Sequence, residues 1–226
     1  VEIEIYPLCN RSCSFCPLSQ DKILRKPMDE KLFQKILDEL AELKFSDEIC
    51  LSSFGEPLLD ERLAEFSKRI KTTLNSKITI LTNGDFLTSE KLKDLLTAGI
   101  DQIVISQHDK EPSKAIEKLF SEVNSEEKDH LYFQVVNENV PLSNFGGSVE
   151  VKILKPPICR PQAIFIRSDG EIRFCCSDYY CQIKLGNVNK SKLIDIWNLP
   201  FYKKIRDEIR NGIFNLEICK KCRGIP

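Results

Sequence analysis

Two hydrophobic periods alternate along the first 150 residues. Residues 1–6, VEIEIY, alternate apolar and polar with period two, as a half-buried strand does. Residues 29–43 carry Leu32, Phe33, Ile36, Leu37, Leu40 and Leu43 at the spacing of one helix face. The same alternation repeats down the chain. EICLS (48–52), KITIL (77–81), QIVIS (102–106) and LYFQVV (131–136) read as strands, and SVEVKIL (148–154) as a candidate sixth. Residues 60–72, 89–99 and 112–124 read as helices, the second stopped by Gly99 and the third entered at Pro112.

Strand–helix repetition implies parallel strands joined by right-handed crossovers. A closed eight-fold barrel needs ~250 residues. Only about 150 residues precede the change of pattern at Pro156-Pro157, so the expected fold is α/β, a partial, open parallel (β/α) barrel of five to six strands. Beyond it, AIFIRSDGEIRFCC (163–176) reads as a β-hairpin turning at Ser-Asp-Gly, and 193–197 and 200–211 read as helices. The expected domains are 1–155 and 156–226.

Composition adds little to this until charge and cysteine are considered. The chain has 226 residues, 42% hydrophobic and 30% charged, which excludes disorder as its main state. No apolar run reaches the ~18–20 residues of a membrane span, and the first ten residues are too polar for a signal peptide. The expectation is a cytoplasmic protein without a membrane partner. Charge is unevenly placed: residues 1–150 hold 18 basic and 27 acidic side chains, residues 151–226 hold 15 and 7. The two segments either neutralise each other or present a basic surface to an anionic substrate or acidic redox partner. No nucleic-acid-binding signature accompanies the basic segment.

Ten cysteines change the picture most. In a chain with this much helix and strand, clustered cysteines read as metal ligands rather than as a disulfide scaffold. In parallel α/β folds ligands bind at the carboxyl ends of the strands. Those ends carry Cys9, Cys13 and Cys16; Ser53–Pro57; Thr82–Gly84; Ser106–His108; and Asn137-Glu138. Three thiolates within eight residues can wrap a compact metal centre. A 4Fe–4S cluster takes four cysteine ligands, so three leave one iron open to a cofactor. A four-thiolate zinc site from Cys13, Cys16, Cys219 and Cys222 is the alternative, and it leaves Cys9 without a role.

Cys9-x3-Cys13-x2-Cys16, with the aromatic Phe15 before the last cysteine and directly after the first strand, resembles the signature of radical S-adenosylmethionine (radical SAM) enzymes. The resemblance implies a 4Fe–4S cluster on these three cysteines. Its open iron would bind S-adenosylmethionine, whose reductive cleavage yields a 5′-deoxyadenosyl radical that abstracts hydrogen from a C–H bond. Phe54-Gly55-Glu56-Pro57 resembles the family's Gly-Gly-Glu-Pro segment, with Phe54 in place of the first glycine, and implies backbone contacts to the methionine amino group. Ser106 matches a polar position that contacts the ribose, and Asn83 is a second candidate; read alone, both are equally turn residues. Cys159, Cys175, Cys219 and Cys222 resemble the frame of the SPASM/Twitch extension in its shorter Twitch form, a small β-hairpin plus helix domain. They imply one fully ligated auxiliary 4Fe–4S cluster, with a zinc ribbon as the alternative.

The remaining candidates are weighed residue by residue. Cys50 lies mid-strand and reads as core. Cys176 follows Cys175 on a strand, so its side chain is expected on the opposite face. Cys181 could return a hydrogen atom to a substrate radical. His130 reads as structural, and His108, at the barrel mouth, as a base or a substrate contact. An auxiliary cluster without an open site suits electron transfer, hence a dehydrogenation; the resemblance to the short Twitch form implies a carbohydrate or cyclitol-like small molecule as its substrate, with epimerisation close behind. The alternative is maturation of a ribosomally made peptide. A flavodoxin or ferredoxin reductant is implied in either case.

Overall fold

The computed structural model describes residues 1–21, 25–136, 143–151 and 156–225. Seven strands form one sheet: β1 (Glu2–Ile3), β2 (Ile49–Cys50), β3 (Ile78–Thr82), β4 (Gln102–Gln107), β5 (Leu131–Val135), β6 (Phe165–Ile166) and β7 (Ile172–Arg173). Their spatial order is β5-β4-β3-β2-β1-β6-β7. All pairings are parallel except β6 with β7. Among the described residues β5 and β7 do not meet, so the barrel is open.

The parallel helices follow the expected stripes. Helix α1 (Glu30–Glu42) is capped by Asp29, which accepts from the Lys31 amide at 2.8 Å. It is followed by α2 (Leu63–Thr73), α3 (Ser89–Thr97) and α4 (Lys114–Glu122). Phe33 of α1 stacks on Phe66 of α2 with centroids 4.0 Å apart, and both are buried. Gly99 does stop α3, at φ +94°. Helix α4 begins one residue after Ser113, whose hydroxyl caps it, rather than at Pro112. A short helix α5 (Ser125–Lys128), closed by an Asn124–Glu127 capping box, escaped the periodic reading because it buries nothing.

One expectation is corrected. In residues 148–151, the described part of the expected strand 148–154, the chain forms no strand; the remainder lies outside the described residues. The sixth parallel strand is β6, which docks on β1 through Glu2↔Phe165 and Ile3↔Ile166. Alternation alone marks a segment able to pair, while the open edge of β1 decides which segment does. The hairpin therefore extends the barrel's own sheet.

Register gives the sheet two unlike faces. Ile3, Ile49, Ile78, Ile80, Ile103 and Ile105, all at most 2% exposed, face the helices. Residues paired in register point the same way, so Glu2, Thr79, Gln102, Ser106, Gln134 and Arg173 share the other face with Cys50, Leu81, Val104, Tyr132 and Phe165. The inner wall of the open barrel thus mixes polar and apolar side chains.

The C-terminal part adds α6 (Leu193–Trp197), α7 (Pro200–Arg210) and α8 (Glu217–Arg223). Arg206 of α7 lies 3.7 Å over the Trp197 ring and 4.3 Å over Tyr202. Helix α8 was not anticipated, since seven residues carry too little periodic signal. It is held against the 3-10 turn Phe145–Gly147, where a Cβ on Gly146 would meet Ile218 Cγ1 at 2.3 Å.

Candidate active site

The Cys9–Cys16 loop leaves the C-terminal side of β1 and is organised by polar contacts before any cluster is considered. The Ser19 hydroxyl lies 2.7 Å from the carbonyl oxygens of both Cys13 and Cys16, which share its single proton, and the Cys16 amide donates to the Cys13 carbonyl at 3.0 Å. Arg11, inside the motif, makes a two-pronged ion pair with Asp85 (2.6 and 2.7 Å) and a second with Asp109 (2.9 Å). Asn10 donates to Asp85 at 2.7 Å. The loop is therefore fastened to the ends of β3 and β4 by charge-assisted bonds. Reading the sequence missed Arg11, Asp85 and Asp109 as partners; their only signal was position, one inside the motif and two just beyond strand ends.

Two N–H groups point at the Cys9 sulfur: the Arg11 amide at 3.4 Å and Asn83 Nδ2 at 3.7 Å. Asn83 also donates to Asn10 at 2.9 Å and accepts from the Asp85 amide at 3.0 Å. Its side chain is thus engaged by the cluster loop. Burial, joined by neighbouring thiols, pushes up Cys13 and Cys16, the latter to about 11, and burial likewise raises Cys9. Metal binding must displace those protons.

The Phe54–Pro57 segment lies against the chain entering this loop. A Cβ on Gly55 would sit 1.9 Å from the Tyr6 carbonyl oxygen, and the Glu56 amide donates to Leu8 at 2.8 Å. Only glycine allows that approach. The buried Glu56 carboxylate accepts from the Leu58 amide (3.0 Å), Thr82 Oγ1 (2.7 Å) and the Asn83 amide (2.9 Å). It ties the end of β2 to the end of β3, and Pro57 opens the 3-10 turn that follows. Phe54 packs edge-on to Tyr179 (4.7 Å) and Phe145 (5.2 Å), with the Arg173 guanidinium 4.9 Å from its ring. Its side chain thus reaches into the C-terminal part of the chain.

On the inner wall, Ser106 Oγ accepts from Gln134 Nε2 at 3.0 Å and keeps its own proton to donate. His108, just beyond the end of β4, lines a small cavity on the helix side of the sheet with Arg11, Asn83, Ile105, Ile116 and Phe133, its ring 5.6 Å from Phe15. His108 Nδ1 lies 2.9 Å from the Val136 carbonyl. A carbonyl only accepts, so the neutral ring carries its proton on Nδ1 and leaves Nε2 as a free base. Burial holds this histidine below its ordinary value. Cys181 is fully buried at φ +50°, its sulfur 3.4 Å from Arg167 Nη1. His130 Nδ1 contacts the Asp101 carbonyl at 2.8 Å, a structural role. Asn137 and Glu138 lie outside the described residues.

The C-terminal cysteines converge. Cys159, Cys175, Cys219 and Cys222 line one cavity, walled by Phe174 and Phe214 among other apolar groups. Cys219 and Cys222, three residues apart on α8, share a helix face. Cys222 Sγ lies 3.5 Å from Ser177 Oγ and 3.6 Å from Ser143 Oγ, both serines buried. Four thiols around an apolar chamber fit the donor set of a fully ligated iron–sulfur cluster. Cys176 lines the same cavity, against the expectation of the opposite face. Strand β7 ends at Arg173, so two-residue alternation no longer governs Cys175 and Cys176. Among the described residues no three His, Cys, Asp or Glu side chains are gathered tightly enough for a single metal ion. No helix among them is long and apolar enough to cross a membrane.

Comparison with known proteins agrees with this geometry. The Radical SAM superfamily model matches residues 3–127, and the model of an iron–sulfur cluster-binding domain, SPASM, matches 159–223. The chain is 26% identical over 235 residues to S-adenosyl-L-methionine-dependent 2-deoxy-scyllo-inosamine dehydrogenase of Niallia circulans, covering 100% of this chain and 92% of the relative. It superposes on the crystal structure of BtrN in complex with AdoMet and 2-DOIA with a TM-score of 0.87, at 26% identity, over 98% of this chain and 91% of that one. SuiB of Streptococcus suis bound to precursor peptide SuiA gives a TM-score of 0.58 at 15% identity, over 91% and 66% of the chains, a likeness of fold. A cysteine motif on the exit of β1, a glycine clamp beside it and an open six-strand parallel sheet go together with a family match over more than half the residues, and the chain belongs to the radical SAM superfamily.

Proposed function

We propose that this radical SAM oxidoreductase dehydrogenates a carbinol carbon of a polar, polyhydroxylated small molecule of the cyclitol or carbohydrate class. The observation that carries the reading is the set of polar side chains at the carboxyl ends of the strands beside the cluster loop: Asn83, Ser106, Gln134 and His108. A polyhydroxylated ring needs such donors and acceptors in place of the water it loses. The near full-length likeness to a 2-deoxy-scyllo-inosamine dehydrogenase supports the same class.

In this reading Cys9, Cys13 and Cys16 hold the S-adenosylmethionine-binding 4Fe–4S cluster, and Cys159, Cys175, Cys219 and Cys222 the auxiliary one. When bound, these groups supply a 5′-deoxyadenosyl radical that takes the carbinol hydrogen atom and an acceptor for the remaining electron. The backbone of Phe54, Gly55, Glu56 and Pro57 seats the methionine end of S-adenosylmethionine. Ser106 donates to the ribose, Asn83 fixes the adjoining loop, and Phe15 shields the cluster side. His108 Nε2 receives the hydroxyl proton. Cys181 has no place in this assignment, because it is enclosed against Arg167 and lines none of the cavities described above. The barrel part is 1–155 and the Twitch part 156–226. The reductant is a flavodoxin or ferredoxin in the cytoplasm, and the basic C-terminal segment suits an acidic partner.

The test is anaerobic turnover of reconstituted protein with S-adenosylmethionine, dithionite and a panel of cyclitols and amino-cyclitols deuterated at the carbinol carbons. The expected result is 5′-deoxyadenosine carrying one deuterium, in step with ketone. Deuterium transfer from a peptide, with none from any cyclitol, would replace this reading by the peptide one.

A further inference from the structure

A four-iron cluster that is fully ligated by protein takes four thiolates. The C-terminal cavity is lined by five cysteines: Cys159, Cys175, Cys176, Cys219 and Cys222. Three of them have positions fixed by separate pieces of chain. Cys219 and Cys222 sit one turn apart on α8, and Cys159 comes from the loop that begins at Pro156. The fourth wall is the turn after β7, and there two adjacent cysteines face the cavity.

The local backbone explains why both can. The chain bends directly after Arg173, and the Asp178 amide closes a turn on the Cys175 carbonyl at 3.1 Å. In such a turn neighbouring side chains no longer point to opposite faces. Cys175 has Cys176, Asp178 and Cys219 as electrostatic neighbours, and Cys176 has Glu2, Arg160 and then Cys222. Cys176 has a side-chain hydrogen bond with Ser177, the serine that also lies beside the Cys222 sulfur, and no disulfide exists among the described residues.

We propose that Cys176 is a second ligand for the corner of the auxiliary cluster assigned to Cys175, so that the two thiolates exchange at one iron. The proposal rests on the reading that the C-terminal cysteines hold that cluster. The exchange is redox-neutral. One iron–sulfur bond forms as another breaks, and the proton of the incoming thiol passes to the outgoing thiolate. Its consequence is tolerance: losing either cysteine of the pair leaves four thiols in the cavity, whereas losing Cys159, Cys219 or Cys222 does not leave a complete set of corners.

The experiment is iron and sulfide per chain after anaerobic reconstitution, with low-temperature EPR of the reduced protein. It is run on the full chain and on Cys175→Ala, Cys176→Ala, the double variant and Cys219→Ala, with far-UV circular dichroism as the check of folding. The expected content is about eight irons, two four-iron clusters, for the parent and for each single variant of the pair. The double variant and Cys219→Ala should each fall to about four. Cys175→Ala should also show an altered auxiliary EPR signal, since a different thiolate then completes the cluster. Loss of about four irons in either single variant, with the circular dichroism unchanged, would overturn the exchange and leave one dedicated ligand. Full iron content in Cys219→Ala would instead sink the auxiliary-site reading itself, which keeps the two failures apart. Where a single variant loses its fold signal, the corresponding Ser variant is measured in its place, with the same iron count deciding.

Discussion

Replacing Gly55 by alanine puts the fit between the Phe54–Pro57 segment and the cluster loop to a quantitative test. The added Cβ would lie 1.9 Å from the Tyr6 carbonyl oxygen and 3.0 Å from that of Leu8. Ordinary non-bonded contact is about 3.5 Å, so the two backbones must part by roughly 1.6 Å. Both neighbours are main chain, so no side chain can swing aside. A movement of that size carries the 2.8 Å bond from the Glu56 amide to Leu8 past the ~3.2 Å limit of a good N–H···O bond. Overpacking costs about 1–3 kcal/mol, and the lost hydrogen bond about 1 kcal/mol more. The total, about 2–4 kcal/mol, corresponds to a fall in Tm of roughly 4–16 °C for a chain of this size. Leu8 adjoins Cys9, so the displacement also moves the proposed seat of S-adenosylmethionine relative to the cluster. Thermal unfolding followed by circular dichroism reads the first effect. Isothermal titration of the reconstituted protein with S-adenosylmethionine reads the second, with at least a tenfold loss of affinity expected. A Tm within about 1 °C of the parent together with unchanged affinity would refute the close-approach argument.

Four further predictions follow from the same geometry. Burial lowers the His108 value, so the neutral ring is stabilised in full above pH 6.5, and that contribution is lost as pH falls through the lowered folded value; the kcat/KM profile should show an acid limb below 6.5 that disappears, with activity, in His108→Asn. In Glu56→Gln one of the three donors that the carboxylate holds meets an amide instead; leaving a buried donor unpaired costs about 1–3 kcal/mol, measurable by urea unfolding. Asp85→Asn removes the two-pronged partner of Arg11 and should lower iron occupancy at the Cys9 site selectively, seen as loss of the EPR change on adding S-adenosylmethionine while the auxiliary signal persists. Ser143→Ala with Ser177→Ala removes two hydroxyls beside the Cys222 sulfur; hydrogen bonds to sulfur favour the reduced cluster, so a redox titration should find the auxiliary potential lowered.

Several of these predictions turn on contacts that no sequence period contains. The Glu56 carboxylate and the Asn83 amide were legible as strand-end residues near a cofactor. That their side chains are consumed in joining β2, β3 and the cluster loop depends on segments 27 and 73 residues apart meeting. Phe54 was legible as a departure from a glycine position. Its partners Tyr179, Phe145 and Arg173 come from chain more than 90 residues away.

The sequence by itself determined the order of elements in the parallel part, because side-chain period is a local property of helix and strand. It also determined the family, because three cysteines at fixed spacing after the first strand need no tertiary information to be seen. The tertiary structure decided the rest. It placed Phe165–Ile166 as the sixth parallel strand, since the open edge of β1 receives that segment in register. It turned Cys176 into the auxiliary cavity, since the chain leaves the strand at Arg173 and alternation ends there. It decided which residues share the inner wall, since a face of a sheet is assembled from residues of many strands and exists only once their registers are set.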